Sequence, residues 1–291
     1  MPNNASDLET LQTTLRPSLH RYCARMVGSV VDGEDVVQEA MLKAHLAWAF
    51  IDKIDNPEGW LFRIAHNAAL DFLRRKVRMP ELLTEEELAM VAAPEEPDPD
   101  IAETSLRTFL RLPSLQRSAV ILKDVLGHSI EEVSSAIGVS EPAAKSALQR
   151  GRVRLRELAA EPEHISTPAL SDAMRIRLFV YVNSFKTGDF DSVRAMLAED
   201  VKLDLVGKFQ KQGKSKVSDY YGAYAAARRW AFSACTVDGY PAMLVYDREV
   251  SLEEPAYFVV LNFEDGKVSS IHDFLYARYA MEAVSIDELN G

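Results

Sequence analysis

Apolar residues recur every three to four positions through the first 160 residues, which predicts helices throughout this part of the chain. Beyond a short boundary near 161–168, one long helical stretch, Asp172 to Lys186, gives way to short runs rich in Val, Tyr and Phe that predict strands. These runs are Val201–Val206, Ala242–Tyr246, Tyr257–Phe263 and Val268–Leu275. The pattern predicts a multidomain chain with two all-α modules followed by an α+β domain.

The segment 79–100 divides the two helical modules. It contains four prolines, eight acidic residues and no basic residue. Because proline lacks a backbone donor and like charges repel, we expect a mostly extended linker. The predicted domains are therefore residues 1–78, the linker at 79–100, residues 101–160 and the α+β domain at 169–291.

The net charge of −11 alone would argue against a nucleic-acid partner. The charge is unevenly distributed, however, because residues 1–78 are balanced and residues 101–160 contain 9 basic against 6 acidic side chains. Most of the acidity comes from the linker and from residues 161–291, so the helical modules remain compatible with DNA. Two distant cysteines, no leader segment and no long apolar run predict a cytoplasmic protein without membrane segment, metal or cofactor.

Two helices of the first module carry polar side chains in patterns that need an explanation. In the first, which Asp32 is expected to cap, a polar patch surrounds the first turns and includes Glu34, Asp35, Gln38 and Glu39. A solvated helix face and a binding surface are both open interpretations.

The second helix, over residues 56–78, presents a polar stripe at helical spacing. Its members are Arg63, Asn67, Asp71 and Arg74, continued by Arg75. Arg and Asn on one stripe suit contacts to base edges and phosphates. The alternative is a basic helix end that complements its own dipole.

The second module shows a helix-turn-helix pattern. Ser129 and Glu132 form a capping box, Gly138 ends that helix, and Ser140 caps a longer basic helix. In the longer helix the side predicted to be buried contains Ala144, Leu148, Gly151, Leu155 and Leu158. The side predicted to be exposed contains Lys145, Gln149, Arg152 and Arg156, flanked by Ser146 and Arg150. This arrangement favours DNA recognition over an ordinary amphipathic helix in a bundle.

Taken together, residues 8–158 resemble a sigma factor of the extracytoplasmic-function type in the sigma-70 family. The resemblance rests on three motifs in order, which are DGEDVVQEAMLKAH, NPEGWLFRIAHNAALDFLRRK and LPSLQRSAVILKDVLGHSIEEVSSAIGVSEPAAKSALQRGRVRLRE. It implies a region-two bundle and a region-four helix-turn-helix. The implied partners are core RNA polymerase and promoter DNA, with an anti-sigma factor as a further possible partner.

Carried over residue by residue, the resemblance implies three contact groups. The polymerase-binding residues would be Asp35, Gln38 and Glu39. The −10 DNA-binding residues would be Arg63, Asn67, Asp71, Arg74 and Arg75. The −35 DNA-binding residues would be Ser140, Lys145, Ser146, Gln149, Arg150 and Arg152. The chain departs from the family at Ala147, where the family more often has Arg, so we expect one DNA contact fewer.

The C-terminal third is similar to a SnoaL-like domain, the cone-shaped α+β fold shared with nuclear transport factor 2 and polyketide cyclases. The resemblance implies a helix across a curved antiparallel sheet that leaves a pocket, with Asp204, His272 and Asp273 as candidate pocket residues. We expect no catalytic residue among them, because a fold alone does not imply activity.

The predicted function is therefore that of a sigma factor which recognises and melts promoters, with a C-terminal domain that contacts the sigma modules and regulates them. Two alternatives stay open. The first is a DNA-tethered SnoaL-like enzyme or sensor of a small hydrophobic ligand, and the second is a helix-turn-helix repressor that never contacts polymerase.

Overall fold

The computed structural model describes residues 5–51, 54–76, 101, 104–161, 170–227 and 229–289. The predicted linker at 79–100 lies outside these ranges. The chain divides into two compact units, residues 1–164 and 165–291. Within the described residues, no helix is long and apolar enough to cross a membrane.

In its described residues, the first unit is all-helical. Three helices form its first module, α1 (Ala5–Val27), α2 (Val30–Trp48) and α3 (Pro57–Lys76). Four further helices form its second module, α4 (Leu106–Leu110), α5 (Ser114–Val120), α6 (Ile130–Ile137) and α7 (Glu141–Ala159). A π-helical segment, Ile121–Val125, continues α5.

Local sequence signals set most helix ends. The capping box of Ser129 and Glu132 is present at the start of α6, Gly138 ends α6 in the left-handed region at φ 75°, and Ser140 caps α7. The predicted cap of α2 is wrong, because α2 begins two residues before Asp32 and its N-cap is Ser29, whose side chain accepts the Asp32 N–H.

One hydrophobic core runs through both helical modules. It includes Tyr22, Phe62 and Ala65 from the first module and Phe109 and Ile121 from the second. Helices α1 and α3 contact helices of the second module directly, α1 against α4 and α3 against α6. The two helical modules therefore form a single packed body. The sequence, in which a linker divides the modules, did not predict this packing.

The second unit combines helices with one sheet. Its helices are α8 (Asp172–Thr187), α9 (Phe190–Ala195), α10 (Lys214–Ser218) and α11 (Tyr220–Ala226). Its strands are β1 (Leu197–Leu205), β2 (Phe209–Gln212), β3 (Trp230–Val237), β4 (Tyr240–Asp247), β5 (Tyr257–Glu264), β6 (Lys267–Asp273) and β7 (Ile286–Glu288).

The strands form one sheet in the order β2-β1-β6-β5-β4-β3-β7. Every pairing is antiparallel except that of β1 with β6, so the expectation of a purely antiparallel sheet is wrong. The apolar side of α8 packs on β3 and β4 and closes one face of the sheet. The predicted class, two all-α modules followed by an α+β domain, is confirmed. Strands β2, β3 and β7 were not predicted.

Candidate polymerase and DNA interface

The predicted polymerase-binding patch lies on the first turns of α2. Asp35 is exposed, whereas Gln38 and Glu39 are half-buried. Glu39 forms ion pairs with Lys43 at 2.8 Å and with Arg75 at 2.5 Å. Partial burial alone would raise the pKa of Glu39, but these two cations lower it. The placement of Glu34 in this exposed patch is wrong, since Glu34 is completely buried and paired with Arg16.

The predicted −10 stripe lies along α3. Arg63, Asn67, Arg74 and Arg75 are exposed, and Asp71 is half-buried. The carboxylate of Asp71 accepts from Arg74 at 3.2 Å and from a lysine of α2 at 3.3 Å. Together with the ion pair between Arg75 and Glu39, these contacts join the two predicted surfaces into one polar region, a connection that sequence spacing alone could not reveal.

The predicted −35 surface lies on the N-terminal half of α7. Lys145 is exposed and Ser140, Ser146, Gln149 and Arg150 are half-buried or exposed. Arg150 donates to the Ser146 hydroxyl at 2.8 Å, which holds the guanidinium along the helix. The opposite, buried side of α7 agrees with the prediction in all five positions.

Arg152 is a correction to the predicted −35 group. It is 2% exposed and makes a bidentate ion pair with Asp124, at 2.9 Å from Nε and 2.5 Å from Nη2. A guanidinium that is fully engaged inside the helix-turn-helix module cannot also reach DNA without breaking this pair, so its role is structural. Ala147 is likewise completely buried.

The boundary between the two helical modules contains buried polar groups. We call this boundary the seam, and we define it by Tyr22, His66, Arg117 and Ser118. The Tyr22 hydroxyl lies 2.8 Å from Nδ1 of His66 and 3.2 Å from the Ser118 hydroxyl, so one hydrogen-bonded cluster spans both modules. Burial lowers the pKa of His66 to about 4, and nearby Arg63 acts in the same direction.

Arg117 extends the seam. Its guanidinium donates to the Met26 carbonyl of the first module at 2.6 Å and to the carbonyls of Leu110 and Leu112 in its own module at 2.9 and 2.8 Å. Burial lowers the pKa of Arg117 to about 10, which still leaves the side chain charged at neutral pH. The two modules are therefore joined by hydrogen bonds with defined geometry as well as by apolar packing.

The predicted −10 helix is itself part of the seam. Phe62 of α3 meets His128 of the second module edge to face, with ring centroids 4.8 Å apart. The Arg63 guanidinium lies so close to Gly138 that a Cβ there would come within 3.4 Å of it. The turn of the helix-turn-helix thus lies against the helix that carries the −10 stripe.

In the C-terminal unit the three candidate pocket residues do not converge. Register pairs Asp204 of β1 with His272 of β6, and the two share one face of the sheet. Asp273 points to the other face, where it is completely buried. Among the described residues, no cluster of His, Cys, Asp or Glu could hold a metal ion.

Asp273 is the centre of a tyrosine cluster. Tyr220 and Tyr224 donate their hydroxyls to one carboxylate oxygen, the second at 2.9 Å, and the Leu275 N–H donates to the other oxygen at 2.8 Å. Burial raises the pKa of Asp273, while these donors oppose the rise. This carboxylate accepts three hydrogen bonds inside a packed core, so it holds α11 and the end of β6 together. Sequence reasoning missed the tyrosines, whose spacing of four on α11 was the available signal.

Two known families match the helical modules. The Sigma-70 region 2 family matches residues 11–79, and the Sigma-70 region 4 family matches residues 106–155. The matched residues include the predicted polymerase patch, the −10 stripe and the −35 surface.

Individual relatives extend the match. The chain is 34% identical to the ECF RNA polymerase sigma factor SigM of Mycobacterium tuberculosis, over 48% of this chain and 70% of that protein. It is 27% identical to SigG of the same organism, over 89% of this chain and 79% of the relative. The crystal structure of the M. tuberculosis extracytoplasmic function sigma factor SigJ covers 93% of this chain and 95% of that one, at 23% identity and a TM-score of 0.35.

Proposed function

Since the chain belongs to the extracytoplasmic-function family of RNA polymerase sigma factors, we propose that the described helical unit is a closed form of the factor. In this form the two promoter-reading modules are held together until core RNA polymerase separates them. The supporting observation is the continuous core that joins α1 and α3 to helices of the second module, with the polar seam inside it.

The distance between the two promoter elements is larger than the closed helical unit. The centres of the −10 and −35 elements are about 25 base pairs apart, which at about 3.4 Å per base pair is about 85 Å. A compact body of this size has a radius of gyration of about 15 Å and is about 40 Å across. One closed unit cannot contact both elements of a straight promoter, so recognition of both requires the seam to break.

The length of the connecting segment permits this opening. Residues 77–100 provide 24 residues between the last residue of α3 and the second module. A chain of that length spans at most about 80 Å when fully extended. The width of each module adds to the length of this segment. The covalent connection therefore does not prevent the modules from reaching both promoter elements.

Within the open form we propose the following contacts. Core polymerase is bound by Asp35, Gln38 and Glu39, and −10 DNA by Arg63, Asn67, Asp71, Arg74 and Arg75. The −35 DNA is bound by Ser140, Lys145, Ser146, Gln149 and Arg150, with Arg152 excluded because it is buried in its ion pair. Arg75 is paired with Glu39, so polymerase binding through Glu39 and −10 recognition through Arg75 both require this ion pair to break.

Fluorescence energy transfer tests the closed form. Labels at Glu58→Cys on α3 and Glu157→Cys on α7 occupy exposed positions outside the proposed contacts, while native Cys23 and Cys235 are buried. We expect a separation below about 40 Å in the free protein and above about 60 Å in the complex with core polymerase and promoter.

A control pair at Glu9→Cys and Glu58→Cys lies within the first module, and its transfer should not change on binding. An unchanged separation across the modules in a complex that initiates transcription would refute the closed-form proposal.

For the C-terminal unit we propose a regulatory role without enzymatic activity. A domain attached by a short segment has a high effective concentration at the sigma modules, which favours an intramolecular contact with them. The engagement of Asp273 by three donors argues against an acid or base poised for catalysis. Truncation after Glu161 should change promoter output in a reconstituted transcription assay, and identical output from the full chain and the truncated chain would exclude this role.

A further inference from the structure

A cavity of about 650 Å³ opens in the C-terminal unit where α8, α11 and β3 meet. Five of its twelve lining residues are aromatic, and these are Phe185, Phe190, Tyr224, Trp230 and Phe232. This volume lies within the range of about 300–1,000 Å³ that is usual for small-molecule sites, which are also lined mostly by apolar and aromatic side chains.

The aromatic wall is held in place before any ligand arrives. The ring of Phe185 packs edge to face on Phe190 at 5.3 Å, on Tyr224 at 5.3 Å and on Phe232 at 5.1 Å between centroids. The hydroxyl of Tyr224 is fixed in turn by Asp273 at 2.9 Å. Because these rings already have defined orientations, a flat ligand would lose little binding energy to ordering the site.

The charge at the cavity is the opposite of the charge of its unit. Residues 165–291 contain 14 basic and 18 acidic side chains, yet no acidic residue lines the cavity. Lys186 and Arg248 stand at its rim, both exposed. Arg248 donates Nε to the Trp230 carbonyl at 3.2 Å, and within the described residues neither cation forms an ion pair.

We propose that this cavity binds a planar aromatic compound that carries an anionic group such as a carboxylate or sulfonate. Its rings stack against the aromatic wall, while Lys186 and Arg248 hold the anion at the rim. The binding site does not depend on the regulatory role proposed above, whereas any effect of the ligand on transcription does.

Two fluorescent probes that differ in one group test the proposal. The first is 1-anilinonaphthalene-8-sulfonate, and the second is the neutral N-phenyl-1-naphthylamine, which has the same rings without the sulfonate. Titrated against the full-length protein, the sulfonate should bind with a stoichiometry of one. The double variant Lys186→Gln/Arg248→Gln should weaken sulfonate binding at least about tenfold, the size expected for lost charge-assisted contacts, and leave neutral-probe binding within about twofold.

The matched control is Lys202→Gln/Lys216→Gln, which removes two exposed cations of the same unit that do not line the cavity. It should bind both probes as the unchanged protein does. Equal sulfonate affinity in the Lys186/Arg248 variant and in the control would overturn the proposal, and so would a loss of the same size for both probes.

Discussion

The two units bury polar side chains in different kinds of place. In the helical unit, Tyr22, His66 and Ser118 meet at the seam between two modules that each have their own helices. In the C-terminal unit, Asp273 and its tyrosine donors lie inside one sheet-and-helix core. Both clusters are buried and hydrogen-bonded, yet only the first lies on the boundary along which we propose that the modules separate.

Buried polar side chains can therefore serve two purposes. When a seam opens, water replaces the lost partners, so hydrogen bonds there give a specific closed geometry at a modest net energy. Inside a single core the same groups become exposed only when the domain unfolds, so they contribute to its stability. Substitutions in the two clusters should therefore have different readouts even when their energies are similar.

The largest expected effect is in the C-terminal core. Asp273→Ala removes the charged acceptor of two buried tyrosine hydroxyls, which keep only the neutral hydroxyls of Tyr224 and Tyr257 as partners, and of one backbone N–H. We therefore expect the free energy of unfolding of this unit to fall by about 3 kcal/mol. Calorimetry of the full chain should show one transition moving and the transition of the helical unit unchanged. A uniform shift of both transitions would contradict the separation between seam and core.

The next effect is at the seam. Arg117→Met removes the donor shared by three carbonyls and should shift the closed equilibrium by about 2 kcal/mol, or about thirtyfold, towards the open form. Energy transfer across the modules should fall and promoter binding by the free protein should rise. Arg111→Met is the control, because Arg111 is an exposed neighbour paired with Glu161. If both variants behave alike, the seam does not hold the modules together.

A smaller effect is expected from pH. The pKa of His66 is lowered to about 4 in the closed form, so that form binds fewer protons than an open form with an exposed imidazole. Stability of the closed form should therefore be full well above pH 6.5 and should decrease as the pH falls towards 4, by about 1.3 kcal/mol between pH 7.5 and pH 5.5.

Energy transfer across the modules, followed from pH 7.5 to 5.5, measures this decrease. In His66→Gln the titrating group is absent, and the dependence on pH should be weaker. The same dependence in both proteins would assign it to other groups.

The smallest effects come from a matched pair of substitutions. Tyr22→Phe removes a hydroxyl from the seam, and Tyr257→Phe removes one from the core cluster, where it lies 2.8 Å from Tyr224. Each should cost about 1 kcal/mol. Thermal unfolding of the C-terminal unit should report only Tyr257→Phe, and energy transfer across the modules only Tyr22→Phe. A change in energy transfer in Tyr257→Phe, or in thermal unfolding of the C-terminal unit in Tyr22→Phe, would contradict the difference between seam and core.

Local signals in the sequence predicted much of the fold. The capping box of Ser129 and Glu132 and the cap at Ser140 depend on contacts three residues away, so they can be identified without a structure. The buried side of α7 followed from helical spacing for the same reason. The polar stripe on α3 is exposed at Arg63 and Asn67 as that spacing predicts.

Long-range contacts explain the failures. Arg152 was placed on the DNA side because it is basic, but its partner Asp124 is 28 residues away and turns it inward. A signal did exist, since Arg152 follows Leu148 by four residues and precedes Leu155 by three, on the apolar side of α7. Glu34 was misplaced similarly, because Arg16 of α1 neutralises it from another helix. The cluster around Asp273 unites residues about 50 positions apart, beyond the reach of any local pattern.

The shared core also constrains how the chain is made. When α3 leaves the ribosome, the side of it that carries Phe62 and His66 has no second module to pack against. The remaining residues up to Glu161 follow at about 5–20 residues per second, so this apolar surface stays uncovered for roughly 4 to 17 s. A nascent factor therefore passes through an interval in which this side of α3 is uncovered, and we expect it to be accessible to chaperones or to polymerase during that time.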